Sequence, residues 1–287
     1  MNMKALVITV MVATMCCPLL ASDLKAPATV VAGTDFVIAS AESQGGTFYL
    51  IGPSLVSKRE VQNGSEISVP GDGIKSAGVY TALLCSGAGC VSTDFYVKPS
   101  SPARLSLLAH PSRVRVAEPN AISAVALVFD KFRNLVVEPA QVEFQAVAGE
   151  AQPISQSRTA ANGIAWIRLT SGKKEGPIKV GAIIGPAKEL RVVRQVASDA
   201  CNLRIKPEWA AGKFYVSTDP VRDCSGNAVP DGTVVSFTKT DRSGKTTVDA
   251  PVKRGIARVQ MPVDGNARIF VASGVVTGNE LNVTGKQ

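Results

Sequence analysis

One pattern occurs twice in this chain, and it limits the folds open to the sequence more than any other feature. The stretch "DKFRNLVVEPAQVEF" (Asp130 to Phe144) returns as "DCSGNAVPDGTVVSF" (Asp223 to Phe237). At one constant offset Asp130 matches Asp223, Asn134 matches Asn227, Val136 matches Val229, Val142 matches Val235 and Phe144 matches Phe237. Further on, "GIAWIRL" (Gly163 to Leu169) matches "GIARVQM" (Gly255 to Met261) at an offset one residue shorter. Matches that stay in step across two segments mark one structural unit used twice.

The unit is made of strands. Short alternating runs fill the chain, among them "TDFVIAS", "TFYLIG", "SAVALVF", "QVEFQAV", "IAWIRLT", "TVVSFT" and "ARIFVAS", with Gly, Pro, Asn and Asp between them. Alternation with period two is the mark of a half-buried strand, and no window carries a long amphipathic helix. The expected fold class is therefore all-β, built as sandwiches. "KPSSPA" (Lys98 to Ala103) and "VASDAC" (Val196 to Cys201) read as boundaries. They leave units at 23–99, 103–196 and 199–285, each near the ~100 residues of an immunoglobulin-like sandwich.

The string D-x-x-x-N-x-V, followed by a V-x-F strand and then by G-x-A and an alternating strand, resembles the bacterial Ig-like domains of the invasin/intimin type (bacterial Ig-like group 1). The resemblance spans roughly residues 103–285 and is fuller in the second copy. The first copy departs from it where Arg133 stands in place of Gly before Asn134, and where "VEPAQ" replaces a P-x-G turn. The implied architecture is three tandem Ig-like β-sandwiches after a signal peptide, and the implied roles are extracellular spacing, display or adhesion. The first unit lacks the string. Its "AGVYTALLC" places Tyr80 at the start of a penultimate strand, the position of a tyrosine corner.

Export is written at the N-terminus. "MNMKALVITVMVATMCCPLLAS" has one Lys, an apolar run from Ala5 to Met15 and small residues at Ala21 and Ser22, the form of a secretory signal peptide over residues 1–22. Lipidation at Cys16 or Cys17 is the rival reading, although "VATM" before Cys16 departs from the lipoprotein pattern. Of the six Cys, four remain after the leader. An even count in an exported chain reads as disulfides. "LLCSGAGCV" folds Cys85 against Cys90 across a hairpin loop. "EWAAG" (Glu208 to Gly212) is the turn that brings Cys201 back opposite Cys224.

Candidate chemistry is sparse. A single His, His110, lies at a strand end before Pro111, with no G-x-S-x-G elbow to partner it. Carboxylate pairs for glycoside hydrolysis would come from Glu138, Glu143, Asp219, Asp223, Asp231 and Asp241. Those beside Pro or Gly read better as turn formers. Read as an EF-hand, the loop from Asp223 fails at its sixth and twelfth positions, Ala228 and Val234, leaving only a looser inter-domain calcium site open. Trp166 alternates with Ile164 and Ile167 and fits either the core or a face. The net charge of +8 is scattered, with no basic helix or stripe, so nucleic acid is not the expected partner. The expectation is a non-enzymatic exported interaction protein with no cofactor and no membrane span in the mature chain. It would work with protein partners in a cell-envelope or surface assembly such as a secretion or pilus machine, either periplasmic, at the surface or secreted. A carbohydrate-binding or carbohydrate-active protein is the alternative. The sequence sets no oligomeric state.

Overall fold

A computed structural model describes residues 24–41, 45–87, 89–149 and 152–285. The expected signal peptide, with Cys16 and Cys17, lies outside them. Among the described residues the one helical element is a short 3-10 turn, Gly71–Gly73. No helix there is long and apolar enough to cross a membrane. The chain divides into two compact units, Met1–Ser100 and Ser101–Gln287.

The first unit stacks a three-stranded sheet (Leu24–Lys25, Phe36–Ser40, Glu66–Val69) on a five-stranded one. The second sheet runs Thr29–Val31, Gly89–Lys98, Gly78–Ser86, Gly46–Gly52, Leu55–Val61. Alternation puts Tyr80, Ala82 and Leu84 of Gly78–Ser86 into the core with Ile38, Phe48 and Phe95. Tyr80 stacks on Phe95 and donates its hydroxyl to the Ser76 carbonyl at 3.1 Å. Burial pushes its phenol pKa up. Gly52 is required beside it, since a Cβ there would stand 2.1 Å from the Tyr80 ring.

The second unit holds two separate hydrophobic cores. In the middle sandwich, a five-stranded sheet (Arg113–Arg115, Ala187–Val196, Gly176–Ile184, Ala140–Ala148, Ile154–Ala160) faces a three-stranded one (Ile164–Leu169, Ile122–Asp130, Pro102–His110). Ile122, Ala124, Ala126 and Val128 alternate inward to meet Val142, Phe144 and Ala146. The last sandwich repeats the plan. Ile205–Ala210, Lys213–Thr218 and Arg258–Gln260 form one sheet, and Gly244–Pro251, Val234–Asp241, Asn266–Ser273 and Val276–Thr284 the other. Phe237 holds the place of Phe144, and both are fully buried.

Both disulfides lie across paired strands. Cys85 is bonded to Cys90, directly opposite it in register. Cys201 is bonded to Cys224 beside a short ladder in which Ala200–Cys201 pairs with Arg222–Asp223. The turn between them is tighter than the sequence suggests. Glu208, Trp209 and Ala210 remain in strand, and only Ala211 and Gly212 make the bend, both with positive φ. That is the two-residue hairpin geometry whose twist suits the flanking strands.

The two Asp–Asn turns share one backbone, which explains the departure at Arg133. Gly226 has φ 84°, and Arg133, at the matching position, has φ 72°. This is the left-handed region, where a side chain costs about 1–2 kcal/mol and Gly nothing. Arg133→Gly is therefore expected to stabilise the middle sandwich by about 0.5–1 kcal/mol, net of the entropy Gly gains when unfolded. Urea denaturation reads it; a loss of stability would show that the Arg133 side chain is held by something worth more than the strain.

Candidate functional site

The repeated turn is a hydrogen-bonded knot around a buried carboxylate. Asp130 Oδ1 accepts the backbone N–H of Phe132 and of Asn134, both at 2.8 Å, and Oδ2 accepts the Asn134 side-chain amide. Asp223 does the same with the N–H groups of Ser225 and Asn227 and the Asn227 amide. Oδ2 of Asp223 also accepts the Ser198 N–H at 3.1 Å. Burial pushes the Asp223 pKa up, but the bonds from Asn227, Ser198 and Ser225 outweigh it, and the net direction is down. With both oxygens filled by N–H donors, this carboxylate is committed to the turn. Among the described residues no cluster of three or more His, Cys, Asp or Glu is placed to hold a metal ion.

The second copy of the turn also makes a junction. The Asn227 amide donates to the Lys173 carbonyl at 2.9 Å, and its oxygen accepts the Glu175 N–H at 3.2 Å. Glu175 accepts the Ala197 N–H at 2.7 Å. Gln195, buried, accepts the Gly172 N–H and donates to the Lys174 carbonyl. Linker residues 197 and 198 are thus tied to a loop of the middle sandwich and a turn of the last. The Arg115–Asp199 pair beside them is exposed and adds little.

Of the carboxylates considered for hydrolysis, those with a shifted pKa are all lowered. Glu143 lies in the middle sandwich, and hydrogen bonds from Gln145 and Ser155 lower its pKa. Asp241 is held far below the usual range by Lys239 at 2.6 Å, by Ser243 and by the Asp264 N–H. A general acid needs the opposite shift. Asp219 pairs with Lys206 at 3.3 Å in the last sandwich. Asp231 is exposed. His110 is exposed opposite Ser123.

What distinguishes the two copies is an outer face. In the three-stranded sheet of the middle sandwich, Leu108, Val125 and Trp166 lie in one row, Val125 directly opposite both of the others. Leu108 is 58% exposed and Trp166 61%. Ile164, with 42% exposed, and half-buried Leu127 extend the patch. The same row in the last sandwich reads Lys206, Ser217, Arg258. There Arg258 makes a two-pronged pair with Glu208 and lies 3.9 Å over the Tyr215 ring. One fold position is therefore apolar and open in one copy, polar and satisfied in the other. The sequence alone left Trp166 between core and face; the pairing register puts it on the face. Contiguous exposed apolar side chains mark interaction sites more often than chance.

No protein-family model and no curated protein sequence matches the chain. Solved structures do. The FdeC adhesin of Escherichia coli is similar over 92% of this chain and 96% of its own, with a TM-score of 0.63 and 11% identity. Invasin, a bacterial integrin-binding protein, is similar over 92% of this chain and 59% of its own, at TM-score 0.48 and 12% identity. The FN1–FN3 domains of chicken CNTN1 cover 92% and 98% at TM-score 0.38 and 8% identity. At this identity the FdeC likeness establishes a shared fold, tandem Ig-like β-sandwiches.

Proposed function

We propose that this is an exported, non-enzymatic interaction protein in which three Ig-like sandwiches (residues 23–99, 103–196 and 199–285) present a binding face on the middle one. The observation that carries the reading is the Leu108–Val125–Trp166 row, apolar where its own repeat is charged. The fold shared with an adhesin and the two disulfides support an extracytoplasmic setting, at the cell surface or in an envelope assembly such as a secretion or pilus machine. The partner is a protein rather than a sugar. Trp166 offers one stacking plane, but its neighbours Leu108, Val125 and Ile164 bring no donors or acceptors for hydroxyl groups.

The test exchanges the row. Leu108→Lys, Val125→Ser and Trp166→Arg together install what the last sandwich already tolerates. The variant is expected to keep its thermal transition within a few degrees, since Leu108 and Trp166 are exposed and Val125 is half-buried, and to lose capture of its envelope partner after cross-linking in producing cells. Undiminished capture would remove the face from the reading. A strong signal on a glycan array that the triple exchange abolishes would put a carbohydrate in place of the protein.

A further inference from the structure

The face ends at an open sheet edge. Ile164–Leu169 is the outer strand of its sheet, paired on one side with Ile122–Asp130. A tight Asn162–Gly163 turn brings the chain into it, both residues with positive φ. In that turn Ile164 both donates to and accepts from Ala161. The Gly163 carbonyl accepts the Val128 N–H instead, across the sheet. Backbone groups alternate sides along a strand. Ala165 and Ile167 therefore bond to Ile122–Asp130, while Trp166 and Arg168 direct their N–H and C=O groups to the open edge. Among the described residues no hydrogen bond reaches those groups.

Sheet edges are usually closed, because a free ladder recruits strands. At the matching edge of the three-stranded sheet the other two sandwiches obey this. In the first unit the corresponding edge strand is Glu66–Val69, and Arg59 reaches across from Leu55–Val61 to donate to the Ser68 carbonyl while lying over the Phe48 ring. In the last sandwich the edge is only Arg258–Gln260, three residues long. The middle edge is six residues long. Beside it is a groove lined by Arg158, Thr159, Ala161, Trp166 and Arg168. Arg158 bonds only to Gln156 and the Ser157 carbonyl among the described residues, and neither Arg158 nor Arg168 has an acidic partner there.

We propose that the Ile164–Leu169 edge takes up an extended segment of a partner protein as an added strand, one in which apolar side chains alternate with acidic ones. The ladder would come from Trp166 and Arg168. The apolar side chains would extend the Leu108–Val125–Trp166 row by one strand, and the acidic ones, on the opposite face of the added strand, would meet Arg158, which pairs with the inward-facing Val142. This rests on the reading of that row as the binding face and names the chemistry of its occupant.

The test selects binders from a phage-displayed library of random octapeptides against the full mature chain, then measures re-synthesised winners. Winners should alternate apolar and acidic residues, and their binding should slow amide exchange at Trp166 and Arg168 in the unaltered protein. Arg168→Pro removes one outward N–H without touching the bonds to Ile122–Asp130, and Pro is tolerated at such an edge. It should weaken binding at least tenfold, while Arg168→Ala, which keeps the N–H, weakens it about threefold or less. Winners lost on the triple row exchange, yet indifferent to Arg168→Pro and leaving those amides unprotected, would overturn strand addition and leave the face standing. Winners indifferent to both would overturn both. An empty selection, or self-association of the chain abolished by Arg168→Pro, would also overturn the proposal, the latter by naming a second copy as occupant.

Discussion

Asp223→Ala is expected to cost the last sandwich about 4–5 kcal/mol, because three backbone N–H groups lose a charged acceptor at once and bonds to charged groups are worth about 1.5–3 kcal/mol each, the lower end applying where water takes the place of the carboxylate. The groups are those of Ser225, Asn227 and Ser198. Asn227 would lose the carboxylate that fixes its amide, and with it the aim of that amide at Lys173 and Glu175. Urea denaturation followed at Trp209, in a Trp166→Phe background, reads the last sandwich, since Trp209 packs on Phe214 at 5.0 Å there. The folded pKa of Asp223 is depressed, so its contribution is fully present above the unfolded value of about 3.9 and disappears as pH falls through the folded one. The gap between wild type and Asp223→Asn should hold from pH 7 to near 4 and narrow below that. A gap that widens in acid would mean that the carboxylate enters the fold protonated.

Phe144→Ala and Phe237→Ala should each cost about 4 kcal/mol, the usual penalty for emptying a buried aromatic site. Phe144 is 1% exposed and Phe237 0%, and each is surrounded by its own cluster. Two cores make the effects separable. Phe237→Ala should shift the Trp209 transition strongly, and Phe144→Ala should act first on the sandwich that carries Trp166. The junction through Asn227, Glu175 and Ser198 lets part of each effect pass to the other side. Equal shifts of both transitions by either variant would mean that the two cores unfold as one.

These largest effects fall on residues the sequence already marked, for a local reason. In both copies Asp, three residues and Asn close the turn on the Asp carboxylate, so a copy that drops either residue loses bonds. Phe144 and Phe237 follow at fixed distances because strand pairing counts residues. The left-handed position in the turn was legible as Gly226; Arg133 hid it, since the backbone there is kept and only the side chain departs. Cys85 and Cys90 lie across one hairpin and Tyr80 begins one of its strands, features within reach of a short window.

The proposed binding face was not legible. Leu108, Val125 and Trp166 come from three strands far apart in sequence, and only pairing register puts them in a row. Period-two alternation says that Ile164, Trp166 and Arg168 share a side, but it does not say which side is the core. The open edge was hidden for the same reason, because the direction of the Trp166 and Arg168 amides depends on where the Asn162–Gly163 turn sets the alternation. The junction needed the fold as well, since nothing in "LTSGKKEG" announces that Lys173 and Glu175 meet Asn227.

On the proposed reading the middle sandwich carries the binding face and its repeat does not. A photo-reactive amino acid placed at Val125, and in a separate strain at Ser217, tests it in intact producing cells, because the two residues hold the same position in the two copies. The expected result is a discrete covalent adduct from position 125, lost when Leu108→Lys and Trp166→Arg are added, and none from position 217. Adducts of equal yield from both positions, or from 217 alone, would contradict it.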